Sequence, residues 1–399
     1  MNGKQFGILL ALVVVLGGAG LMLYKNSSSS WTGGGTAVGQ KLLGEFDVNT
    51  VAQIAIKHGP TELLVAKKNE LWRVAQRGDY PANFSEISSL LLKLKDMKVV
   101  QTETVGASQL PRLELVASGT NAPTNVEFRD ASGKALKTLV LGKRHMQKRA
   151  GGSPMGDMDD GGFADGRYVQ VGGASEKVLL VSDELKQLEP NADTWLSKDF
   201  FKIEKAKAIA VTFPIATNSW KLVRETEGAD LKLVDVKPGE ELDSAKASGV
   251  ANPLSSPSFA DVAVGVTPEA SGLDKPTVIN VETLDGFAYT VKVGAKTNDN
   301  FYLTMSVSAN FVKERTPGKD EKPEDKTKLD KEFADKLKKL EEKLATEKAY
   351  EPWTYLVASW TVDSIIKERS HFMVEKKDEA KKEAGKEDPA LVPPAEEKK

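Results

Sequence analysis

Gln5–Tyr24 reads QFGILLALVVVLGGAGLMLY, twenty residues without a charge. At about 1.5 Å of rise per residue, such a helix matches the roughly 30 Å hydrocarbon layer of a bilayer. A helix apolar on every face needs either lipid or a protein shell around it, and this one opens directly into a Ser/Gly tract, NSSSSWTGGGTAVG. The run exceeds the apolar core of a cleavable signal peptide, so an uncleaved N-terminal anchor is expected, although Gly18 and Gly20 are small enough for a signal peptidase. Lys4 precedes the run and Lys25 follows it, which tilts only weakly toward a cytoplasmic N-terminus. Some 375 residues lie on the far side. The expectation is a single-pass inner-membrane protein with a large periplasmic C-terminal part. Trp31 sits in the tether, where an indole can rest at the membrane interface.

Past the tether, the apolar residues of Val51–Ile56 and Leu63–Ala66 flank His58, Gly59 and Pro60 as in a β-hairpin, with a third strand at Leu71–Val74. Phe84, Ile87, Leu90, Leu91 and Leu94 then recur at helical spacing, with Ser85 as a plausible cap. Asn125–Arg144 and Asn280–Lys296 each read as strand, glycine turn (Gly133 or Gly286) and second strand ending at Gly142 or Gly294. Downstream, Arg167–Val171 answers Phe301–Met305 and Val178–Ser182 answers Tyr355–Ser359; upstream, Ile209–Phe213 with Trp220 answers Ile54–Ile56 with Trp72. These correspondences predict an α+β fold: an N-terminal transmembrane helix, then two duplicated antiparallel-sheet-plus-helix units joined near Lys198–Ala208. The expected layout is an anchor over 1–25, a linker over 26–45, a first unit over 46–200 with a loop insertion at 145–166, and a second unit over 201–374 with a charged helical insertion at 310–350. A disordered charged tail, 375–399, closes it.

Within the second insertion, Lys313–Lys348 holds 12 basic and 11 acidic residues, so the segment must be solvated yet nearly neutral. Leu329, Phe333, Leu337, Leu340 and Leu344 form one narrow stripe, and Glu324/Lys328, Glu332/Lys336 and Asp335/Lys339 stand at helix-supporting spacing. A coiled-coil seam needs more heptads, so a single arm is expected, packed on its own unit or forming one partner of a helical contact.

Chemistry is sparse. The chain has no cysteine, which removes disulfides, thiolate metal sites and thiol nucleophiles, and its net charge of -2 with interleaved signs gives no phosphate-tracking stripe for nucleic acid. Each histidine stands alone: His58 in a turn, His145 in the loop insertion, His371 at a helix end. Ser364–Lys367 has serine-lysine spacing but lacks the accompanying triplets. Gly151–Met155 misses the nucleophile-elbow pattern, and Gly34–Lys41 has Gln40 where a phosphate loop needs lysine. Asp157, Asp159, Asp160 and Asp165 form the best cation candidate, yet Gly161 replaces a ligand and no glutamate closes the loop, so a solvated loop is the simpler reading. Trp72, Trp195, Trp220, Trp353 and Trp360 read first as core or sheet-face packing. No catalytic, cofactor-binding or metal residue is assigned, and no cofactor or small-molecule ligand is expected.

Val51–Val74 (VAQIAIKHGPTELLVAKKNELWRV), Pro81–Val100 and Ala270–Gly286 (ASGLDKPTVINVETLDG), behind an N-terminal span, resemble the bacterial domain-of-unknown-function family numbered 4340. The resemblance implies an envelope protein accompanying ABC-type export systems related to the gliding-motility transporter, with an ABC transporter permease or another envelope protein as partner. It carries over no site residues. The expected function is thus a non-catalytic, membrane-anchored protein acting by protein–protein contact. The alternatives are a carboxylate-dependent envelope hydrolase and a structural or adhesive surface protein.

Overall fold

The computed structural model describes residues 38–117, 121–147, 163–172, 177–318 and 321–375. The apolar run Gln5–Tyr24, Trp31, Gly151–Met155, Asp157, Asp159, Asp160 and the tail beyond Glu375 lie outside the described residues. Among the described residues no helix is long and apolar enough to cross a membrane. They fold into two compact units, one comprising residues up to Asp199 with Asp261–Gly265, the other Phe200–Ala260 and the residues from Val266 onward.

In the first unit, β1 (Gln53–His58) and β2 (Thr61–Lys68) form a hairpin about Gly59, whose φ of +55 suits glycine. A two-residue turn follows at Asn69 and Glu70, both at positive φ, the geometry that matches the right-handed strand twist, and leads into β3 (Leu71–Val74). After β4 (Tyr80–Pro81), Asn83 accepts from the backbone N–H groups of Ser85 and Glu86 and starts α1 (Phe84–Asp96). The cap is therefore Asn83 rather than Ser85, because the cap residue must precede the first helical turn. Ile87, Leu90, Leu91 and Leu94 are buried on α1, whereas Phe84, read as part of that face, is exposed. Next come β5 (Gln101–Thr104), β6 (Thr124–Arg129), β7 (Ala135–Gln147), β8 (Phe163–Val171) and β9 (Lys177–Val181), giving a sheet in the order β4-β3-β2-β1-β6-β7-β8-β9-β5. The β7–β8 ladder continues through His145↔Gly166 to Gln147↔Phe163, so both ends of the stretch read as a loop insertion are paired strand.

The second unit contains β10 (Ala206–Thr212), β11 (Trp220–Val223), β12 (Lys232–Leu233), α2 (Ser244–Ser248), α3 (Pro268–Ser271), β14 (Thr277–Thr283), β15 (Phe287–Thr297), β16 (Asn300–Ala309), α4 (Pro323–Lys348), β17 (Thr354–Ala358) and α5 (Ser359–Val362), while β13 (Asp261–Ala263), an edge strand of the same sheet, is grouped with the first unit. Its sheet runs β12-β11-β10-β14-β15-β16-β17-β13. With β10 set on β1, β14 on β6 and β13 on β5, the order repeats the first sheet, which adds only β4. Two antiparallel sheets of one topology fit an internal duplication. One correspondence needs correcting: Trp220 lies on the second strand of its sheet and Trp72 on the third of its own, so the two tryptophans are not equivalent.

Both glycines expected to end a strand instead lie inside one. A Cβ at Gly142 would stand 2.3 Å from the carbonyl oxygen of Leu113, and one at Gly294 would stand 2.2 Å from that of Ser271. In each unit a short helical turn, Leu110–Leu113 or α3, presses on the mid-strand glycine and is followed by a residue at positive φ, Glu114 or Gly272. Glycine here allows a close backbone approach rather than a stop.

Phe200, Phe259 and Tyr355 gather in the core of the second unit with ring centroids 4.6 to 5.0 Å apart. The stripe Leu329, Phe333, Leu337, Leu340 and Leu344 is half-buried along α4, which packs on its own unit: Lys336 pairs with Asp285 at 3.0 Å, and Lys343 reaches Glu204 at 2.8 Å. This is a single surface helix, not a coiled-coil strand. Its intrahelical pairs are Lys328–Glu332, Lys338–Glu342 and Lys343–Glu347 rather than the three expected, and Lys336, read as a partner of Glu332, is drawn to Asp285 in the turn between β14 and β15.

Candidate functional site

An apolar concavity lies in the first unit, between the start of α1, β3, β4 and the 3-10 turn Val48–Thr50. Local geometry explains it. Ala82 donates to the carbonyl of Trp72 at 2.8 Å, and the cap at Asn83 then turns the chain into α1 beside β3. With Ile87, Leu90, Leu91 and Leu94 spent on the core, the next stripe round the helix, Phe84, Ser88 and Leu92 at four-residue spacing, becomes one wall of a groove of about 630 Å³. Trp72, Pro81 and Val51 also line it. Leu71, Phe84 and Leu92 are 56%, 64% and 50% exposed, so three large apolar side chains surround one depression. A patch of this kind marks a contact surface or ligand groove more often than an accident of packing. Its charged lining residues, Lys67 and Glu70, pair with each other at 2.6 Å.

A second, polar cavity of about 280 Å³ lies near the junction of β7, β8 and β9, lined by Asp165, Asp183, Glu184, Lys93 and Lys186. Asp165, the one described member of the expected cation loop, faces His145 across the ladder with Oδ1 2.6 Å from Nδ1, while its buried Oδ2 lacks a hydrogen-bond partner. The other acids are matched by bases: Asp183 by Lys93 at 3.1 Å, Glu184 by Lys186 at 3.1 Å and Arg144 at 3.7 Å, Glu189 by Arg144 and Arg167. Burial pulls Arg167 below the ordinary arginine range, opposed by Glu189, and its Nε and Nη1 donate to the carbonyls of Gly142 and Glu184. Among the described residues no group of three or more histidines and acids converges as a metal centre would require. The cavity is a charge-matched network that ties β7, β8 and the segment after β9 together.

The remaining candidates disperse. His58 places Nδ1 3.1 Å from the Thr124 hydroxyl at the end of β1, and His371 sets its ring edge against Phe372. Ser364–Lys367 forms turn and bend rather than helix, so it does not place serine and lysine on one helical face. Trp72, Trp195 and Trp220 are buried, and the Trp220 indole donates to the carbonyl of Lys367; Trp360, by contrast, is 67% exposed and not a core residue.

One site escaped the sequence reading. Glu347, near the end of α4, is buried and accepts from the Lys202 backbone N–H at 2.9 Å and the Tyr289 hydroxyl at 2.6 Å. Burial and the adjacent carboxylate push Tyr289 far above the ordinary phenol range. The signal was available: Glu347 continues the apolar stripe three residues past Leu344.

The model of a family described as a domain of unknown function (DUF4340) matches residues 72–151 and 159–276. Its second stretch runs across Asp199 and Phe200, where the two units divide. No curated protein and no solved structure matches the chain.

Proposed function

The chain belongs to the DUF4340 family, and we propose that it works by contact: a membrane-anchored, extracytoplasmic accessory protein whose duplicated sheets hold a docking groove toward a partner. The observation that carries this reading is the groove itself, in which Leu71, Phe84 and Leu92 stand in solvent around a depression of about 630 Å³. Leaving such side chains wet forgoes roughly 25 cal/mol for each Å² of apolar surface that a partner would cover. The anchor is the uncharged run Gln5–Tyr24, and the partner we favour is a component of an ABC-type transport system. The charge-matched cavity at Asp165 is a scaffold element in this account, which sets it apart from a carboxylate hydrolase.

Two measurements test the reading. Fractionation should retain the full chain with membranes, and protease added outside spheroplasts should cut it. Mild detergent extraction should then co-purify an envelope partner in fixed proportion. Release of the intact chain with the cytosol, or its repeated recovery alone, overturns the proposal.

A further inference from the structure

We infer that the groove seats the apolar face of a short amphipathic helix belonging to a partner polypeptide embedded in the same bilayer. This rests on the contact reading above and names the occupant. The wall formed by Phe84, Ser88 and Leu92 spans two helical turns, roughly 12 Å at 1.5 Å per residue. A concavity of that length and volume accepts about three or four large side chains offered at i, i+3, i+4 and i+7, which is what one face of a helix presents.

Charge and shape separate this occupant from lipid. A surface that settles into a bilayer offers a protruding apolar face with uncompensated lysines or arginines for anionic headgroups. Here the apolar surface is concave, Lys67 is paired to Glu70, and the other polar lining residues, Asn49 and Ser88, are neutral. A second copy of the chain fits poorly as well, because a twofold contact through this patch would set one hollow against another.

The position of the groove in the chain supplies the third argument. Val48, Asn49 and Val51 line it, only ten residues beyond Val38. The 13 residues from Lys25 to Ala37 can reach at most about 45 Å. With Gln5–Tyr24 in the membrane, the groove is confined to a shell next to the bilayer, where a helix leaving the same membrane meets it at an effective concentration on the order of millimolar. A two-turn contact, too small to hold in free solution, suffices under that confinement.

The test is photo-crosslinking of the full chain in native membranes, with a benzophenone side chain placed at Leu92, at Phe84 and, as control, at Glu86 on an exposed part of α1. The expected result is a heteromeric adduct from Leu92 and Phe84, mapped by mass spectrometry to an amphipathic segment next to a membrane span of the partner. Yield from Glu86 should be at least about tenfold lower, and Leu71→Asp should cut the Leu92 adduct at least about tenfold with no change in melting temperature. An adduct of twice the chain mass, an adduct of lipid mass, an intrachain link to Gln5–Tyr24, equal yield at Glu86, or no adduct overturns the inference. If the chain still fractionates with membranes and co-purifies a partner, such results remove this occupant while leaving the contact function standing.

Discussion

Replacing Glu347 by alanine should loosen α4 from its sheet without unfolding the rest of its unit. The carboxylate is the acceptor for the Lys202 N–H at 2.9 Å and the Tyr289 hydroxyl at 2.6 Å. Deleting it orphans the amide, at about 1–3 kcal/mol, while the hydroxyl can fall back on the Lys202 carbonyl, now 3.4 Å away, and so loses only part of a charge-assisted bond. The sum is about 3 kcal/mol, which corresponds to roughly a hundredfold rise in local opening. Glu347→Gln keeps one acceptor for the amide and should cost about 1–2 kcal/mol; Tyr289→Phe should cost a similar amount, with coupling of about 1 kcal/mol in the double variant because the two groups touch. Hydrogen exchange by mass spectrometry on peptides covering Pro323–Lys348 reads these differences directly. If alanine and glutamine variants exchange alike, and both within a few-fold of the parent, the carboxylate does not hold the helix and the ranking argument fails.

Gly142→Ala and Gly294→Ala should each destabilise their own unit by about 1–3 kcal/mol or more, since the new methyl meets a backbone carbonyl; thermal melts should show the loss, and a melting point within a degree of the parent would contradict the close approach. Phe84→Ser and Leu92→Ser should leave folding stability within about 0.5 kcal/mol, because both side chains are at least half exposed, while abolishing partner recovery; a large drop in melting temperature would mean that they serve the core instead. The side-chain hydrogen bond from Arg369 holds Glu240 down to about 2 from its usual 4.5. A depressed folded-state value stabilises above pH 4.5 and is lost as pH falls toward 2, so the stability difference between parent and Arg369→Gln should shrink across that window; a difference independent of pH would refute the pairing.

The parts of the fold that could be read from sequence are those in which a local period decides. The hairpins around Gly133 and Gly286 follow from alternation, and α1 and α4 follow from spacings of three and four. What stayed hidden depended on neighbours distant in sequence. Gly142 reads as a strand end until Leu113 is seen above it, and His145 reads as loop because its surroundings are polar and glycine-rich, although it is paired across the β7–β8 ladder. The groove was concealed by the same periodicity that revealed α1. Phe84 falls at helical spacing with Ile87, and only the packing of the helix decides which of two adjacent apolar stripes goes inward. Lys336 shows the limit for charges, since its expected partner four residues away competes with Asp285 from the turn between β14 and β15.

The strand order also sets a timetable. β5 is made before the meander of β6 to β9, yet among the described residues its ladder partner is the last of these, β9. An emerging polypeptide therefore carries Gln101–Thr104 as an unclaimed edge until some seventy further residues have been synthesised, several seconds at about 5–20 residues per second. The second half repeats the delay with β13 and β17, lengthened by the residues of α4. Newborn copies thus pass twice through an interval in which a chaperone, or a neighbour's loose strand, competes for the same hydrogen bonds.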